Sequence, residues 1–443
     1  MSTIAIVGGG IGGIVAAFTL KKAHPKHDVV VIEASPNLGG LLGVSHQIGG
    51  LSFDIGTHIP AETMIDELDE WLFGALYEDD VWQKITRISG GNYYDGQLDE
   101  NHHNILSRST YDDLDDNVKL PEKEINCVDD YLFRFGKYLT NNVFLPSLAK
   151  FIPCDAEKLE PEVQRYFALD RLSQHSGSTS PNTRLENSRI HPQGKKIPTA
   201  FYTSNGKGVS DWIAHLKVQL EQLGVKFLHG KKTVGFEVDN HKIEKLNFDD
   251  SSTFTCNQVI WSAPIETLLP LVSQQSSENF SKYYQRTKIK LFHFVFDIPY
   301  LTLCHYVNCF DTHVDPYRVT LYENFSGRND KQKSYRCTVE VIGERAQNPN
   351  LDEADIFRQL VEMGIVSADT KVMSSHETQV LNGFPIKHLG ALSNARELCS
   401  EVTDMFKNIH LVGSAEPSTF FSNDVMIRTF TSLQAKLEEG KIT

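Results

Sequence analysis

Three glycines near the amino terminus have the spacing of a phosphate-binding turn. They follow the apolar run Ile4–Val7, and apolar residues then recur at helical spacing over residues 14–20. Gly8 permits a tight turn out of a buried strand, Gly10 lets the backbone approach a pyrophosphate, and Gly13 lets helix and strand pack closely. The helix N-terminus would add N–H groups and a partial positive charge. The spacing therefore predicts a dinucleotide-binding turn.

A carboxylate stands where the ribose of such a dinucleotide would lie. Glu33 ends the apolar run Asp28–Glu33 and follows Gly13 by 20 residues. A carboxylate at this distance accepts from a ribose 2′-hydroxyl and repels a 2′-phosphate, which disfavours NADP. The alternative is a glycine-rich turn that binds nothing. This is the weaker interpretation, because both strands, the helix and Glu33 have the spacing of a dinucleotide-binding unit. These residues alone do not separate FAD from NAD.

The composition is that of a large globular enzyme or binding protein. The chain has 443 residues, of which 40% are hydrophobic and 23% are charged, and its formal net charge is −14. This length suggests more than one domain, and the acidic balance makes nonspecific nucleic-acid binding unfavourable. We expect a small-molecule substrate and no nucleic-acid partner.

The cysteines and the hydropathy pattern indicate the compartment. Seven cysteines are scattered along the chain in no framework spacing, and no apolar run reaches the length of a membrane span. We expect reduced thiols, a cytoplasmic location and no transmembrane segment. The loose spacing of Cys304, His305, Cys309 and His313 raises the question of zinc, but without a second ligand pair we predict no metal site.

Two motifs after the first strand pair carry a family resemblance. Residues 33–40 match an E-A-x-x-x-x-G-G pattern, and residues 50–58 match G-x-x-x-D-x-G-x-H. The chain here resembles the FAD-dependent superfamily of amine oxidases, protoporphyrinogen oxidases and phytoene desaturases. The resemblance implies that the backbone of Gly39 and Gly40 approaches FAD. It also implies that the turn with Gly56, Thr57 and His58 lies near the flavin.

Later segments extend the resemblance in the same order along the chain. The strand at residues 231–238 resembles the one whose backbone, around Val234, frames the adenine. Gly413 and Ser414 lie where the family's last strand meets the cofactor. Asp424 and Val425 open a helix predicted to run from Val425 to about residue 439, with Asn423 or Asp424 as N-cap. In the family this N-terminus points at the flavin pyrimidine edge; the alternative is a plain capped helix.

The resemblance also implies the fold class. We expect an α/β protein in which a Rossmann-like FAD-binding domain of the glutathione-reductase type is interleaved with an α+β substrate domain. Residues 1–60, 200–285 and 405–443 would form the FAD-binding domain. Residues 61–199 and 286–404 would form the substrate domain, with a helical insertion and an antiparallel sheet. Residues 173–200 are rich in polar residues, Gly and Pro, and predict a long loop over the site.

Candidate site residues follow from this arrangement. His58 is the first candidate beside the flavin, because imidazole titrates near neutrality; the alternative is a structural histidine. Arg318 could hold an anionic substrate, and the alternative is a rim salt bridge. Tyr317, Tyr322 and Asn324 would line the same pocket unless they belong to the core of a strand.

Within the superfamily the pattern is most similar to UDP-galactopyranose mutase-like proteins. The segments around Arg318 and at residues 384–390 carry this likeness, and in the mutases an arginine matching Arg318 holds the substrate diphosphate. The match fails before the last helix, where mutases place a diphosphate-binding arginine. Here Ser414 and Glu416 occupy that segment, and neither is a cation.

Three functions remain open from the sequence. The first is a FAD-dependent oxidoreductase acting on a small polar or anionic molecule. The second is a redox-neutral mutase that uses reduced FAD on a nucleotide sugar. The third is a binding protein of the Rab escort or GDP-dissociation-inhibitor kind, which shares the fold; the intact glycine and Glu33 set argues against it. Substrate, electron acceptor and oligomeric state are not predicted.

Overall fold

A computed structural model of the chain describes residues 2–86, 88–100, 124–167, 198–203, 206–325, 333–419 and 421–442. The strands, numbered along the chain, are β1 Thr3–Val7, β2 Asp28–Glu33, β3 Ser45–Ile48, β4 Leu51–Asp54, β5 Trp82–Ile85, β6 Gly90–Tyr94, β7 Gln97–Asp99, β8 Ala200–Thr203, β9 Lys226–His229, β10 Thr233–Asp239, β11 Lys242–Phe248, β12 Thr253–Thr255, β13 Gln258–Trp261, β14 Tyr284–Arg286, β15 Ile289–Phe296, β16 Tyr306–Cys309, β17 Arg318–Leu321, β18 Tyr335–Ile342, β19 Val372–Val380, β20 Pro385–Lys387 and β21 Ile409–Leu411. The helices are α1 Ile11–Ala23, α2 Asp66–Glu78, α3 Cys127–Leu139, α4 Leu145–Phe151, α5 Val209–Gln222, α6 Ile265–Val272, α7 Gln274–Ser281, α8 Tyr322–Phe325, α9 Glu353–Glu362, α10 Ala391–Met405 and α11 Ser422–Glu438.

A five-stranded parallel sheet carries the first glycine turn at the end of its central strand. Its strand order is β21-β13-β1-β2-β9, so the amino-terminal strand lies at the centre. β1 and β2 are almost wholly apolar because both faces of the sheet are covered. Helices α1 and α11 pack on one face, and α6 and α10 pack on the other. The predicted strand–glycine turn–helix–strand unit is confirmed.

A seven-stranded mixed sheet forms the other large layer. Its order is β19-β15-β18-β17-β16-β6-β7, and all its pairs are antiparallel except β16 with β6. Successive residues of β15 point to opposite faces of the sheet, as in any β-strand. Phe292, Phe294 and Phe296 pack toward α9, whereas His293 and Val295 face the hairpin β3–β4. The antiparallel sheet predicted within residues 286–404 is present as β15–β19.

The β3–β4 hairpin connects the two sheets. It begins soon after the second glycine pair and leads directly into the turn at residues 54–58. The chain enters α5 at residue 209, against the end of β4, where Val209 N–H donates to Asp54 at 2.9 Å. This hairpin therefore carries the predicted flavin-side turn to the face of the mixed sheet.

The structure differs from the sequence prediction at the start of the last helix. The last helix begins at Ser422 with Phe421 as N-cap, so the prediction that Asn423 or Asp424 is the N-cap was wrong. Asp424 instead lies in the first turn and accepts from Phe421 N–H at 3.2 Å, a role that a carboxylate at this position can fill as well. The predicted loop at residues 173–200 lies almost wholly outside the described residues.

Candidate functional site: a dinucleotide cradle beside a mixed sheet

The first glycine turn is packed too tightly for side chains at two of its positions. Gly8 has φ +103°, and a Cβ added there would lie 2.7 Å from the backbone nitrogen of Ala263. A Cβ on Gly13 would lie 1.9 Å from the carbonyl oxygen of Gly8. The close approach predicted for Gly13 is therefore present between α1 and the end of β1.

Gly10 differs from these glycines because its face is open. A Cβ built on it would meet no atom of the described residues within 4 Å. Gly10 is also the N-cap of α1, and no side chain among the described residues caps this helix end. The first-turn residues Ile11–Gly13 are buried, so their N–H groups need an acceptor. An anion seated against Gly10 would supply one, with the helix dipole in its favour.

Glu33 holds the turn from the end of β2. One carboxylate oxygen accepts from Gly9 N–H at 2.6 Å, and the other accepts from Ser35 N–H at 2.7 Å. Each oxygen has a second lone pair, so a hydroxyl can still donate to it. The backbone of Lys231 donates to the Glu33 carbonyl, which brings the start of β10 beside this strand end. Val234 lies on β10 with 45% of its surface exposed.

The second glycine pair lies directly against the first turn. Gly39 N–H donates to the carbonyl of Gly9 at 2.7 Å. Gly39 and Gly40 have φ of +97° and +57°, conformations that favour glycine. The nearest atom to a Cβ on Gly40 would be the Cα of Gly10, at 3.7 Å. The two glycine segments thus form two sides of one cradle, in which Gly10 is partly exposed and Gly40 is exposed.

The turn after β21 and the start of α11 complete the cradle. A Cβ on Gly12 would lie 3.0 Å from the Cα of Gly413 and 3.2 Å from Val425. The structure thus brings Gly413 and Val425 to the first turn of α1. Ser414 is exposed beside them, and its N–H donates to the carbonyl of Ser262 at 3.2 Å.

Asp424 forms an ion pair as well as its capping bond. Its carboxylate accepts from Arg165 at 2.6 Å, and the Arg165 guanidinium lies over the ring of Phe421. The segment at residues 161–167 is thereby fixed to the start of α11. The carboxylate of Asp424 is therefore shared between its own helix and the helical insertion.

The turn at residues 54–58 rests on a buried carboxylate of β18. Thr57 donates its backbone N–H to Glu340 at 3.2 Å and its hydroxyl to the same oxygen at 3.0 Å. A Cβ on Gly56 would lie 3.5 Å from this carboxylate. His58 Nε2 contacts the carbonyl of Ile55 at 2.8 Å. Burial lowers the pKa of His58. The negative charge of Glu340 raises this pKa, and the positive charge of Arg318 lowers it.

Arg318 is paired within the chain. Its Nε and one terminal nitrogen donate to the two oxygens of Glu340 at 2.8 and 3.0 Å, a bidentate pair. Arg318 and His58 are thus brought together around Glu340. The ring of Tyr317 lies under the guanidinium, 5.2 Å from it. An anion that approaches Arg318 must share it with this carboxylate, so its role as an anion clamp stays a prediction.

The other candidate pocket residues have internal partners. Tyr317 is buried and packs edge-to-face on Phe151. The Tyr322 hydroxyl is buried, bonds the Thr338 hydroxyl at 2.9 Å and accepts from Asp54 N–H at 3.2 Å. The Asn324 amide donates to the carbonyls of Thr302 and Cys304. Contact of these side chains with a substrate stays a prediction.

Asp54 is a residue whose importance the sequence analysis missed. Its carboxylate accepts from Tyr202 at 2.7 Å and from Val209 N–H at 2.9 Å, and burial raises its pKa to about 6. A second missed element is the pair of Arg336 with Glu323, which are 1% and 3% exposed. Arg336 also donates to the carbonyl of Ser52 at 2.6 Å. The sequence signal that could have found these residues is a charged residue within an apolar segment, because a buried charge must have a partner.

The comparisons with known proteins agree with this arrangement. Residues 6–68 match a family model described as an NAD(P)-binding Rossmann-like domain. A coproporphyrinogen III oxidase from Staphylococcus aureus (strain NCTC 8325 / PS 47) is 21% identical over 322 residues, 67% of each chain. A reduced UDP-galactopyranose mutase superimposes with a TM-score of 0.74 at 15% identity, covering 99% of this chain and 94% of that one. A candidate protoporphyrinogen oxidase from Exiguobacterium sp. 255-15 gives 0.71 at 16% identity, covering 99% of both chains.

These likenesses establish the fold across the chain. Residues 6–68 match the model of an NAD(P)-binding Rossmann-like domain, and the chain shares its fold with the mutase and oxidase structures over almost its whole length. The α/β fold class with a Rossmann-like domain and the likeness to these proteins, both predicted from the sequence, are confirmed. Among the described residues, every helix is too short or too polar to span a bilayer.

Proposed function

We propose that the protein is a FAD-dependent oxidoreductase acting on a small polar or anionic substrate. The observation that carries the proposal is the cradle itself. Gly10 and Gly40 lie against each other, α1 begins at Gly10 without a side-chain cap, and Glu33 bonds the turn at Gly9, where we place the ribose. These features fit the phosphates and ribose of an adenine dinucleotide.

The course of the cradle favours FAD over NAD. The first turn of α1 lies against Gly413 and Val425, and Asn423 of α11 donates to the carbonyls of Ala61 and Glu62, which follow the 54–58 turn. This line of contacts gives the path along which a dinucleotide bound at the first turn would extend. A coproporphyrinogen III oxidase and a UDP-galactopyranose mutase are among the similar proteins. Both the path and the superfamily resemblance therefore support an extended flavin dinucleotide.

The residues of this chain would bind and orient the reactants. When bound, FAD supplies a ring that accepts an electron pair from a substrate. The N-terminus of α11 would stabilise negative charge near it. Thr57 is held on Glu340 and His58 on the carbonyl of Ile55, so this turn is fixed before a substrate arrives. His58, with its pKa lowered by burial, would be neutral, with its proton on Nε2 toward the Ile55 carbonyl and Nδ1 as the nitrogen that can accept a proton.

The mutase is the second candidate, because a UDP-galactopyranose mutase superimposes over 99% of this chain. A dianionic diphosphate needs unpaired cations. Arg318 is shared with Glu340, and Ser414 and the half-buried Glu416 stand where the mutases place an arginine. These local charges favour the oxidoreductase.

One experiment separates the two candidates. FAD-loaded protein is mixed anaerobically with coproporphyrinogen III, as an anionic probe, and with a panel of small polar metabolites. We expect at least one compound to bleach the oxidised flavin, with the oxidised product formed in equal amount. In parallel, prereduced protein is offered UDP-galactopyranose. Formation of the furanose isomer with no compound bleaching the flavin would contradict the oxidoreductase and establish the mutase.

A further inference from the structure

Three histidines from three strands meet at one corner of the mixed sheet. His293 on β15 lies opposite His376 on the neighbouring strand β19. The ring of His46, on β3, lies 5.5 Å from the His293 ring and 5.9 Å from the His376 ring, centre to centre. His293 is fully buried, His46 is half-buried and His376 is exposed. The histidine cluster, His46, His293 and His376, thus runs from the surface into the core.

A chain of hydrogen bonds joins the buried member of the cluster to the 54–58 turn. His293 Nδ1 lies 2.8 Å from the Thr338 hydroxyl, which lies 2.9 Å from the Tyr322 hydroxyl. The amide of Asp54 can only donate, so Tyr322 accepts from it at 3.2 Å. Each hydroxyl proton then has an acceptor if Tyr322 donates to Thr338 and Thr338 donates to Nδ1. This direction places the imidazole proton of His293 on Nε2.

That proton is buried without an acceptor. His293 Nε2 has no hydrogen-bond partner among the described residues. The rings nearest to His293 are those of His46 and Phe53, so a neutral His46 is the nearby group that can accept a hydrogen bond. A protonated His46 could no longer accept a hydrogen bond, and it would place a positive charge beside the rings of His293 and His376.

We propose that the histidine cluster is a pH-sensitive device that releases the β3–β4 hairpin, and with it the 54–58 turn, when it takes up protons. The closed arrangement favours neutral His46 and His293, because these two imidazoles lie against each other in a partly buried corner. Opening separates His46 from the mixed sheet and exposes it to water. The inference stands on the cluster and its hydrogen bonds and does not depend on the proposed flavin chemistry.

The sign of the effect follows from the shifts of the histidines. Burial and then His376 lower the pKa of His46, and burial with both other histidines lowers that of His293 to about 3. A histidine whose folded-state pKa is depressed binds its proton better in the open state. The closed state is therefore stable above the ordinary histidine pKa of about 6.5 and loses stability as the pH falls below it.

The charged groups nearest to the cluster are paired with one another. On the face of β18 that carries Thr338, Arg336 and Glu340 are paired with Glu323 and Arg318. On the opposite face Lys290 pairs with Glu377 at 3.0 Å.

Asp54, at the end of β4, has a raised pKa. It therefore favours the closed state as the pH falls, which is the opposite sign. Among the described residues no group of three or more His, Cys, Asp or Glu has the arrangement of a metal site. Protons are therefore the ligands that the cluster fits.

Amide hydrogen exchange of the full-length protein tests the device. Exchange of residues 45–54 is followed at about pH 7.5 and about pH 5.5, after correction for the intrinsic pH dependence of exchange. We expect the protection of these amides to fall by about tenfold at the lower pH. This factor corresponds to one proton bound by the open state, over the one pH unit between the ordinary histidine pKa of about 6.5 and pH 5.5. Amides of β1 and α1 should keep their protection.

A double variant, His46→Gln with His376→Gln, removes the two accessible imidazoles and leaves the buried one in place. We expect it to keep its hairpin protection at the lower pH, whereas His313→Gln, at an exposed histidine elsewhere, should behave as the parent protein does. The same acid loss in the double variant, or no loss in the parent, would overturn the proposal. Stoichiometric Zn²⁺ binding that the double variant loses would also overturn it, in favour of a metal site.

Discussion

At the scale of single residues, the glycines of the first turn differ in what they do. A side chain at Gly13 would collide with backbone, whereas one at Gly10 would point into open space. Gly13 is therefore required by the fold, and Gly10 is required only if something is bound against it. This difference allows the fold and the cradle to be tested separately.

Substitution of these two glycines should give opposite results. Gly13→Ala places a methyl group 1.9 Å from the Gly8 carbonyl, and we expect it to lower the free energy of unfolding by about 1–3 kcal/mol. Gly10→Ala should leave thermal unfolding nearly unchanged, because its φ of −67° suits alanine. It should nevertheless reduce flavin occupancy at least severalfold. A Gly10→Ala protein with full flavin content would show that no phosphate lies there.

Glu33 is the residue that tests the position of the adenosine. Glu33→Arg removes the acceptor of two backbone N–H groups and places a cation at the ribose end, so we expect about tenfold weaker FAD binding. Equilibrium dialysis measures it, with Glu278→Arg on the exposed side of α7 as the matched control. Unchanged affinity in Glu33→Arg would mean that the adenosine lies elsewhere.

At the scale of elements, buried charges join the β3–β4 hairpin to the mixed sheet. Arg336 pairs with Glu323 and also donates to the carbonyl of Ser52 on β4, and Glu340 of β18 holds Thr57. Such pairs contribute little over an apolar pair, but removal of one member leaves a buried charge. The hairpin that carries the 54–58 turn is thereby fixed to the mixed sheet.

Arg336→Met tests this connection. The substitution keeps the length of the side chain and leaves Glu323 without its cation, so we expect a loss of about 3–5 kcal/mol in the free energy of unfolding. The exposed pair of Arg358 and Asp355 supplies the control, since Arg358→Met should change stability little. Equal, small effects in chemical denaturation would contradict the structural role of the buried pair.

Asp54 gives the fold a distinct pH dependence. Its pKa is raised to about 6 by burial, so the folded state binds its proton more tightly than the unfolded chain does. Its contribution to stability therefore declines as the pH rises from about 4 to above 6, by roughly 2–3 kcal/mol. Asp54→Asn should remove this decline, measured as denaturation midpoints across that range. Parallel pH profiles for the two proteins would show that Asp54 does not titrate in the fold.

The elements also show how far the sequence predicts the structure. The strand–turn–helix–strand unit was predictable because glycine spacing and apolar runs are local signals. The N-cap of α11 was not, because a carboxylate in the first turn can cap as well as one before it. The pairing of Arg318 with Glu340, and of Asp54 with Tyr202, was not predictable, since residues far apart in the chain meet only through the fold.

At the scale of the whole molecule, the two sheets supply different parts of the candidate site. The parallel sheet supplies glycine turns, an uncapped helix end and Glu33, while the mixed sheet supplies Glu340 and Arg318 beneath the 54–58 turn. Their junction is where we place the flavin ring. The domain boundaries predicted from the sequence stay a prediction, to be tested by limited proteolysis of the loaded and unloaded protein.

The most direct test of the account is the cofactor itself. Protein is purified, its visible spectrum is recorded, and material without colour is titrated with FAD and with NAD while intrinsic fluorescence is followed. The account predicts about one FAD per chain, either already bound or taken up in the titration, and much weaker binding of NAD. Protein that is folded, colourless and unable to take up FAD would contradict the central claim that the glycine turns hold a flavin dinucleotide.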